Sequence, residues 1–387
     1  VRMIPLPETQ NRKSTGVFAM ASKDELKKIL EKPILMASNT YLHFYNGGKL
    51  RAEFVGEPDP KDDYRSEEWM FSTNRAITPS RENPPDKGFS RVELPSGEII
   101  LLKDLLEAFP KETLGEAHYA KFGATLGLLV KIFDVGEGSH IPVHWHPSPE
   151  FASKNLDSPY GKNEAWVVIG TRPGARAWIG WKEDVSKEEF TKWADAQDVE
   201  TMRAHMHMIE PKVGDVIFLR DSFVHSLGTG LCILEPQEPT DWNILAEWEE
   251  YPFEKEDGLL DLDWDTALEA ADFSAMSLDY LNDYVRRTPE IARKENGNVE
   301  EQLVPVEARP FFNLKRFRVS SKMALPGDQG FHCIITTQGS GTLNGDFGGV
   351  PIKRGQSLFI PTSLPGYELV NEGSGTLEVV YCYPPEV

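Results

Sequence analysis

From Tyr41 onward, short apolar runs alternate with Gly, Pro, Asp and Asn breaks. EEWMFST, LGLLVKIFDV, EAWVVIGT, ARAWIGW, DVIFLRD and LCILEPQ are β-prone and bounded by turn residues. Such spacing predicts antiparallel sheets rather than strand–helix–strand units. Helical spacing surfaces in a few places. KDELKKILEKPIL (residues 23–35) predicts one short amphipathic helix stopped by Pro33. LLKDLLEAF (101–109) predicts a second, and SKEEFTKWADA (186–196) a third, with Ser186 as N-cap and Glu189 completing a capping box. Residues 253–297 are acidic and helical in pattern and read as an insert between two β-rich halves. Strands resume after Val299 in FFNLKRFRVSS, FHCIITTQGSGTLNG, QSLFIPT and GTLEVVYCYP.

KRGQSLFIPTSLPGYEL echoes KVGDVIFLRDSFVHSLG from earlier in the chain: basic residue, glycine, polar residue, apolar strand, turn. The expectation is a mainly β protein of two related barrels. It divides into an N-terminal segment with a short helix (1–40), a first barrel (41–252), a helical insert (253–300) and a second barrel (301–387).

Composition narrows the class. The 387 residues carry a formal net charge of −20, which disfavours binding to nucleic acid or to an anionic membrane surface. A small anionic substrate stays compatible, because one pocket can be locally positive. No run reaches the roughly 18–20 apolar residues that span a bilayer, and VRMIPLPETQNRKSTG lacks the pattern of a leader peptide. Cys232, Cys333 and Cys382 are too scattered for a disulfide framework and sit in apolar runs. A cytoplasmic, reduced protein is expected, of oligomeric state the sequence does not disclose.

Histidine carries the chemistry. In SHIPVHWHPSPEF, His144 and His146 alternate on one strand and so point the same way. Glu164 follows at the start of EAWVVIGT, and His225 in DSFVHSLGTG ends a later strand. Three imidazoles and a carboxylate in that order predict one divalent-metal site. Such donors suit Zn, Fe, Mn, Co or Ni. His43, His118 and His332 show no partner in sequence and read as structural; His140 stands near the motif. His205 and His207 form a second H-x-H, on an edge strand with no carboxylate after it.

These segments resemble the type I mannose-6-phosphate isomerases, metal-dependent cupins, in their short bacterial form. The resemblance runs from about Tyr41 to the C-terminus. LGLLVKIFDVGEGSHIPVHWHP is similar to the family's Gln-x-His-Pro strand, YGKNEAWVVIG to its Lys-x-Glu-x-Trp segment, and VGDVIFLRDSFVHSLGTGLCILEPQ to its metal-His and Leu-Glu-x-Gln strands. LDWDTALEAADFS and KRGQSLFIPT also look like family segments. The resemblance implies two jelly-roll barrels, with His144, His146, Glu164 and His225 around one divalent ion, zinc first among the candidates. His144 stands where the family has Gln.

By the same resemblance, Lys162 and Asp241 are catalytic candidates. Trp145, Glu235, Gln237 and Arg172 are substrate-binding candidates. Four residues after Asp241 the family has a catalytic Arg; here Leu245 stands there, and Arg172, Arg176, Arg220 and Lys162 are possible substitutes. The implied function is aldose–ketose isomerisation of a sugar or sugar phosphate through an enediol(ate), with an altered substrate made possible by Leu245. The alternative is a non-catalytic sugar-binding or regulatory cupin with a structural metal, and a different metal-cupin enzyme is a third reading.

Overall fold

A computed structural model describes residues 22–327 and 329–387. The N-terminal stretch read as lacking a leader lies outside them. The first helix covers Lys23–Ile29, with the Ser22 side chain accepting from the Glu25 amide. It is shorter than expected. Pro33 bars helix from the residue before it, and Ile34–Ala37 becomes a strand paired with Ser357–Ile360. The other two predicted helices form at Leu102–Ala108 and Lys187–Asp195, the latter with both halves of the Ser186–Glu189 capping box.

The expected helical insert is mostly not helical. It holds only short turns of helix, at Lys255–Gly258, Trp264–Leu268 and Leu278–Val285. Strands resume earlier than expected, with Glu290–Glu295 and Asn298–Gln302 forming a hairpin. Its two-residue loop, Asn296–Gly297, has φ of +49° and +81°. That is the asparagine–glycine turn whose twist matches paired strands.

Among the described residues, four antiparallel sheets stack face to face. A five-stranded sheet runs Ile244–Leu245, Ile141–Trp145, His225–Leu227, Ala177–Trp181, Met206–Ile209. A six-stranded sheet runs Arg286–Arg287, Val216–Leu219, Glu164–Thr171, Leu231–Gln237, Leu129–Asp134, Glu67–Phe71. A nine-stranded sheet is built mainly from C-terminal strands, with Ile34–Ala37, Arg91–Glu93 and Ile99–Leu101 added at one side, and a four-stranded sheet covers its far face.

Side-chain alternation explains the layers. Leu231 and Ile233 pack toward the five-stranded sheet with Ile179 and Leu227, whereas Cys232 and Leu234 pack toward the nine-stranded sheet with Ile335 and Val380. Val379 and Tyr381 point the other way, onto Leu343 and Leu369 of the four-stranded sheet. The outer face of the five-stranded sheet is covered by helices through Trp145, Trp181, Phe190, Met202 and Leu268. All three cysteines are buried and free. No helix among the described residues is long and apolar enough to cross a membrane.

Candidate metal centre and active site

The site lies between the five- and six-stranded sheets. His144 and His146 project into that interior from one strand, and His225 stands opposite His144 in the neighbouring strand. Glu164 begins the facing Glu164–Thr171 strand, in register with Leu219 on one side and Gln237 on the other. A register shift after His225 marks a bulge, a device that re-aims side chains at a barrel rim.

Every one of the three rings is anchored through Nδ1 to a backbone carbonyl. His144 bonds Pro142 at 2.7 Å, His146 bonds Trp242 at 2.8 Å and His225 bonds Phe223 at 2.8 Å. A carbonyl only accepts, so each Nδ1 carries the proton and each Nε2 keeps its lone pair. The three rings offer ligand atoms that all lie within 4.8 Å of one another. Glu164 adds Oε2 at 3.2 Å from His146 Nε2 and Oε1 at 3.4 Å from His225 Nε2. His225 Nε2 and Glu164 Oε2 are buried without a hydrogen bond. His146 Nε2 lies 3.3 Å from Lys162 Nζ, and the orphaned Nε2 of the buried, pre-oriented His225 ring fits a divalent cation.

Electrostatics agree. Burial, then the neighbouring imidazoles, hold the His144 pKa well below its ordinary value. Burial and the Lys162 ammonium push His146 down to about 3. Burial alone would raise the Glu164 pKa, but Lys162 and His146 outweigh it and hold the carboxyl well below its usual range. Neutral imidazoles beside an ionised carboxylate are the ligating forms.

Lys162 is buried here, its Nζ 3.1 Å from Glu164 Oε2 and 2.7 Å from Asn243 Oδ1. The loop before Glu164 is pinned by Glu238, which accepts from the amides of Gly161 and Asn163 at 3.2 and 2.9 Å. Gly161 is required there, since a Cβ would fall 2.6 Å from both Pro147 O and Pro149 N. The close approach holds the segment after His146 against Lys162, whose amide donates to Pro147 O at 3.1 Å.

A second polar cluster lines the same cavity, of which the sequence pointed to Glu235 but not to Lys131, Glu67 or His43. Lys131 lies 3.3 Å from Glu67 Oε2 and 3.1 Å from Glu235 Oε2. Glu67 also accepts from Tyr45 Oη at 2.9 Å and Trp69 Nε1 at 2.8 Å, and lies 3.6 Å from His43 Nδ1. His43 therefore belongs to the cavity wall, although in sequence it looked partnerless. Burial would raise the Glu67 pKa, but His43, Lys131 and its hydrogen bonds bring it to about 2. Burial and repulsion from Glu164 raise Glu235 to about 8, with Lys131 opposing.

The sequence-predicted residues divide. His144, Lys162, Glu164, Glu235 and Asp241 line the cavity, as does Leu245, and His146 and His225 complete the histidine cluster. Asp241 is heavily engaged: Oδ2 accepts from the amides of Ile77 and Thr78, both at 2.7 Å, and Oδ1 from Asn243 at 3.0 Å. Gln237 is buried and donates to the carbonyl of Thr240.

Two expectations need correction. Trp145 lies between two inward histidines, so alternation turns it outward; it is buried among the covering helices and donates to Ala267 O at 3.0 Å. Arg172 sits just past the far end of the Glu164–Thr171 strand, gripping Asp62 at 2.7 and 2.9 Å and Asp134 at 3.2 Å. Neither reaches the cavity. The second H-x-H also separates, His205 to Glu183 and His207 to the Met276 carbonyl.

Stacked antiparallel sheets around an interior histidine cluster make this a mainly β protein, and its sequence is similar to mannose-6-phosphate isomerases. It is 22% identical to mannose-6-phosphate isomerase of Streptococcus mutans over 92% of this chain and 100% of that protein. It is 24% identical to a putative mannose-6-phosphate isomerase of Bacillus subtilis over 90% of this chain and 98% of that one. Its fold matches the crystal structure of mannose 6-phosphate isomerase from Bacillus subtilis with a TM-score of 0.69 at 20% identity, covering 91% of this chain and 99% of the other. No family model matches the chain.

Proposed function

We propose that this protein is a metal-dependent aldose–ketose isomerase of the mannose-6-phosphate isomerase type, with His144, His146, His225 and Glu164 holding one divalent ion, zinc first among the candidates. The observation that carries the reading is the anchoring of three buried rings through Nδ1, which leaves three Nε2 lone pairs and the Glu164 carboxylate in one cavity. When bound, the ion would supply Lewis-acid polarisation of substrate oxygens.

The chain's own groups do the rest. Isomerisation moves a proton between C1 and C2, so it needs an acid–base group titrating near working pH. Glu235 suits that role, with its pKa raised to about 8 by burial and by Glu164. Lys162 is placed to stabilise negative charge developing on an enediolate oxygen. Asp241 would act as a positioning group: its bonds to the Ile77 and Thr78 amides tie the loop that closes one side of the cavity. Lys131 bridges Glu67 and Glu235 as a buried cation.

The test is turnover by metal-loaded protein. Interconversion of an aldose, free or phosphorylated, with its ketose, abolished by chelation and restored by a divalent ion, is expected. Sugar binding without turnover under full metal loading would instead favour a non-catalytic sugar-binding cupin.

A further inference from the structure

His43 lines the cavity at a distance from the metal ligands. It faces Glu67, whose strand lies three places from the Glu164 strand in the six-stranded sheet. At about 4.8 Å per strand that is roughly 14 Å, so His43 and Glu164 stand at opposite sides of one cavity. The backbone here is held from two sides. The His43 amide donates to Tyr64 O at 2.8 Å, and His43 bridges to Ser80 in the loop that carries Thr78. Just beyond, a Cβ on Gly47 would fall 1.9 Å from Asp134 O, so the chain runs tightly against the Leu129–Asp134 strand. The ring is held as well: it is buried and stacks on Tyr41 with centroids 4.2 Å apart.

The surroundings set the ring's proton. Burial keeps the imidazole neutral, bringing its pKa to about 4; Lys131 and Lys87 add to the fall, and Glu67 and Asp241 oppose it. Nδ1 faces Glu67 Oε1 at 3.6 Å, and Glu67 stays ionised there, at a pKa of about 2. A carboxylate draws the single proton of a neutral imidazole to the nitrogen it faces, which leaves the lone pair on Nε2. Among the described residues, that Nε2 is buried with no hydrogen-bond partner. The Glu164 and Glu235 carboxylates face Lys162 and Lys131, but His43 Nε2 has no such counter-charge within ion-pair distance. A buried acceptor left open is costly, and a hydroxyl that donates to it removes the cost.

We propose that His43 contacts the substrate, its Nε2 accepting a hydrogen bond from the C3 or C4 hydroxyl of the sugar while C1 and C2 lie at the metal. The proposal rests on the isomerase reading and adds to it a group that fixes the far part of the substrate. The experiment uses zinc-loaded wild type, His43→Phe and His43→Gln with mannose 6-phosphate and its 3-deoxy and 4-deoxy analogues. It reads metal content, kcat, KM and calorimetric affinity. His43→Phe keeps an aromatic ring against Tyr41 and removes the acceptor. It should bind zinc as wild type does, lose about tenfold in sugar affinity, and show a rise in KM larger than its fall in kcat. His43→Gln restores an acceptor and should regain part of that affinity. One deoxy analogue should bind wild type about tenfold more weakly than the parent sugar, and His43→Phe should bind both alike. Equal affinities in wild type and His43→Phe, or a deoxy penalty that survives in His43→Phe, overturn the role of His43 and leave the isomerase reading standing. Binding without turnover overturns the isomerase reading alone, because the affinities still judge His43. Absence of binding by wild type overturns both. Nitrogen NMR of histidine-labelled wild type guards against variants that do not fold: the His43 Nε2 resonance should shift on adding the sugar, and one that stays in place overturns the contact.

Discussion

Two pairs of facing sheets in this chain share one strand order and differ in what they enclose. In the six-stranded sheet, Val216–Leu219, Glu164–Thr171, Leu231–Gln237 and Leu129–Asp134 are successive neighbours. Ser357–Ile360, His332–Gln338, Leu377–Tyr383 and Asn313–Val319 follow the same sequence in the nine-stranded sheet. Glu164 pairs with Leu219, and His332 occupies the matching place opposite Ile360. Glu235 pairs with Lys131, and Tyr381 pairs with Lys315. His225 opens one strand where Tyr367 opens its counterpart.

The polar atoms tell the two interiors apart. His332 Nδ1 donates to Gly330 O at 3.0 Å, so its Nε2 accepts from Tyr367 Oη at 2.8 Å, and Tyr367 Oη in turn lies 3.1 Å from Tyr381 Oη. That network is closed on itself. Between the five- and six-stranded sheets, by contrast, His225 Nε2 has no hydrogen-bond partner, and the Glu164 and Glu235 carboxylates face buried lysines rather than a closed ring of neutral groups. One backbone plan thus serves as packing or as chemistry, depending on whether its inward polar groups satisfy one another.

The comparison is broken most forcefully by single histidines. His146→Ala should lower metal affinity at least ~100-fold and abolish isomerase activity, because a directly ligating ring is lost, a larger change than loss of the outer groups that orient ligands. His332→Ala should leave metal stoichiometry unchanged and cost about 1–3 kcal/mol of stability, through the stranded Tyr367 hydroxyl. Metal analysis beside thermal unfolding separates the two; equal metal loss in both variants would erase the distinction.

Trp145→Ala tests the outward assignment. Deleting a fully buried tryptophan should cost roughly 3–5 kcal/mol, seen in denaturant unfolding, while KM of the folded protein stays the same. A raised KM with unchanged stability would return Trp145 to the substrate.

The smallest effect concerns pH. Burial raises Glu238 to about 7, against hydrogen bonds from Asn163. Below its ordinary value near 4.3 the group is protonated in both folded and unfolded chains. Between there and about 7 the folded chain binds the extra proton, so stability falls as pH rises through that window. Glu238→Gln should remove this slope, and wild type should lose a few kcal/mol relative to the variant from pH 4.5 to 7. Parallel pH profiles from urea unfolding would contradict the assignment.

Much of the site was legible because strand parity is simple. H-x-H placed His144 and His146 on one side, and the same rule turns Trp145 to the other, although its aromatic character drew it toward a sugar. Lys131 left a readable mark, a lone charge between Val130 and Ile132 in an apolar run. Its meaning depended on Glu67 and Glu235, which only cross-strand register brings near. His43 and the Asp241 clamp on Ile77 and Thr78 are long-range contacts that no local spacing encodes. The Asn296–Gly297 turn was readable too, but the acidic, helix-like composition before it masked the hairpin.

Anomalous diffraction from crystals of protein loaded with a single divalent metal tests the central claim most directly. One strong peak should lie among the Nε2 atoms of His144, His146 and His225 beside Glu164, with nothing at His332. Fully loaded crystals with their peak elsewhere, or with those four side chains turned apart, would contradict it.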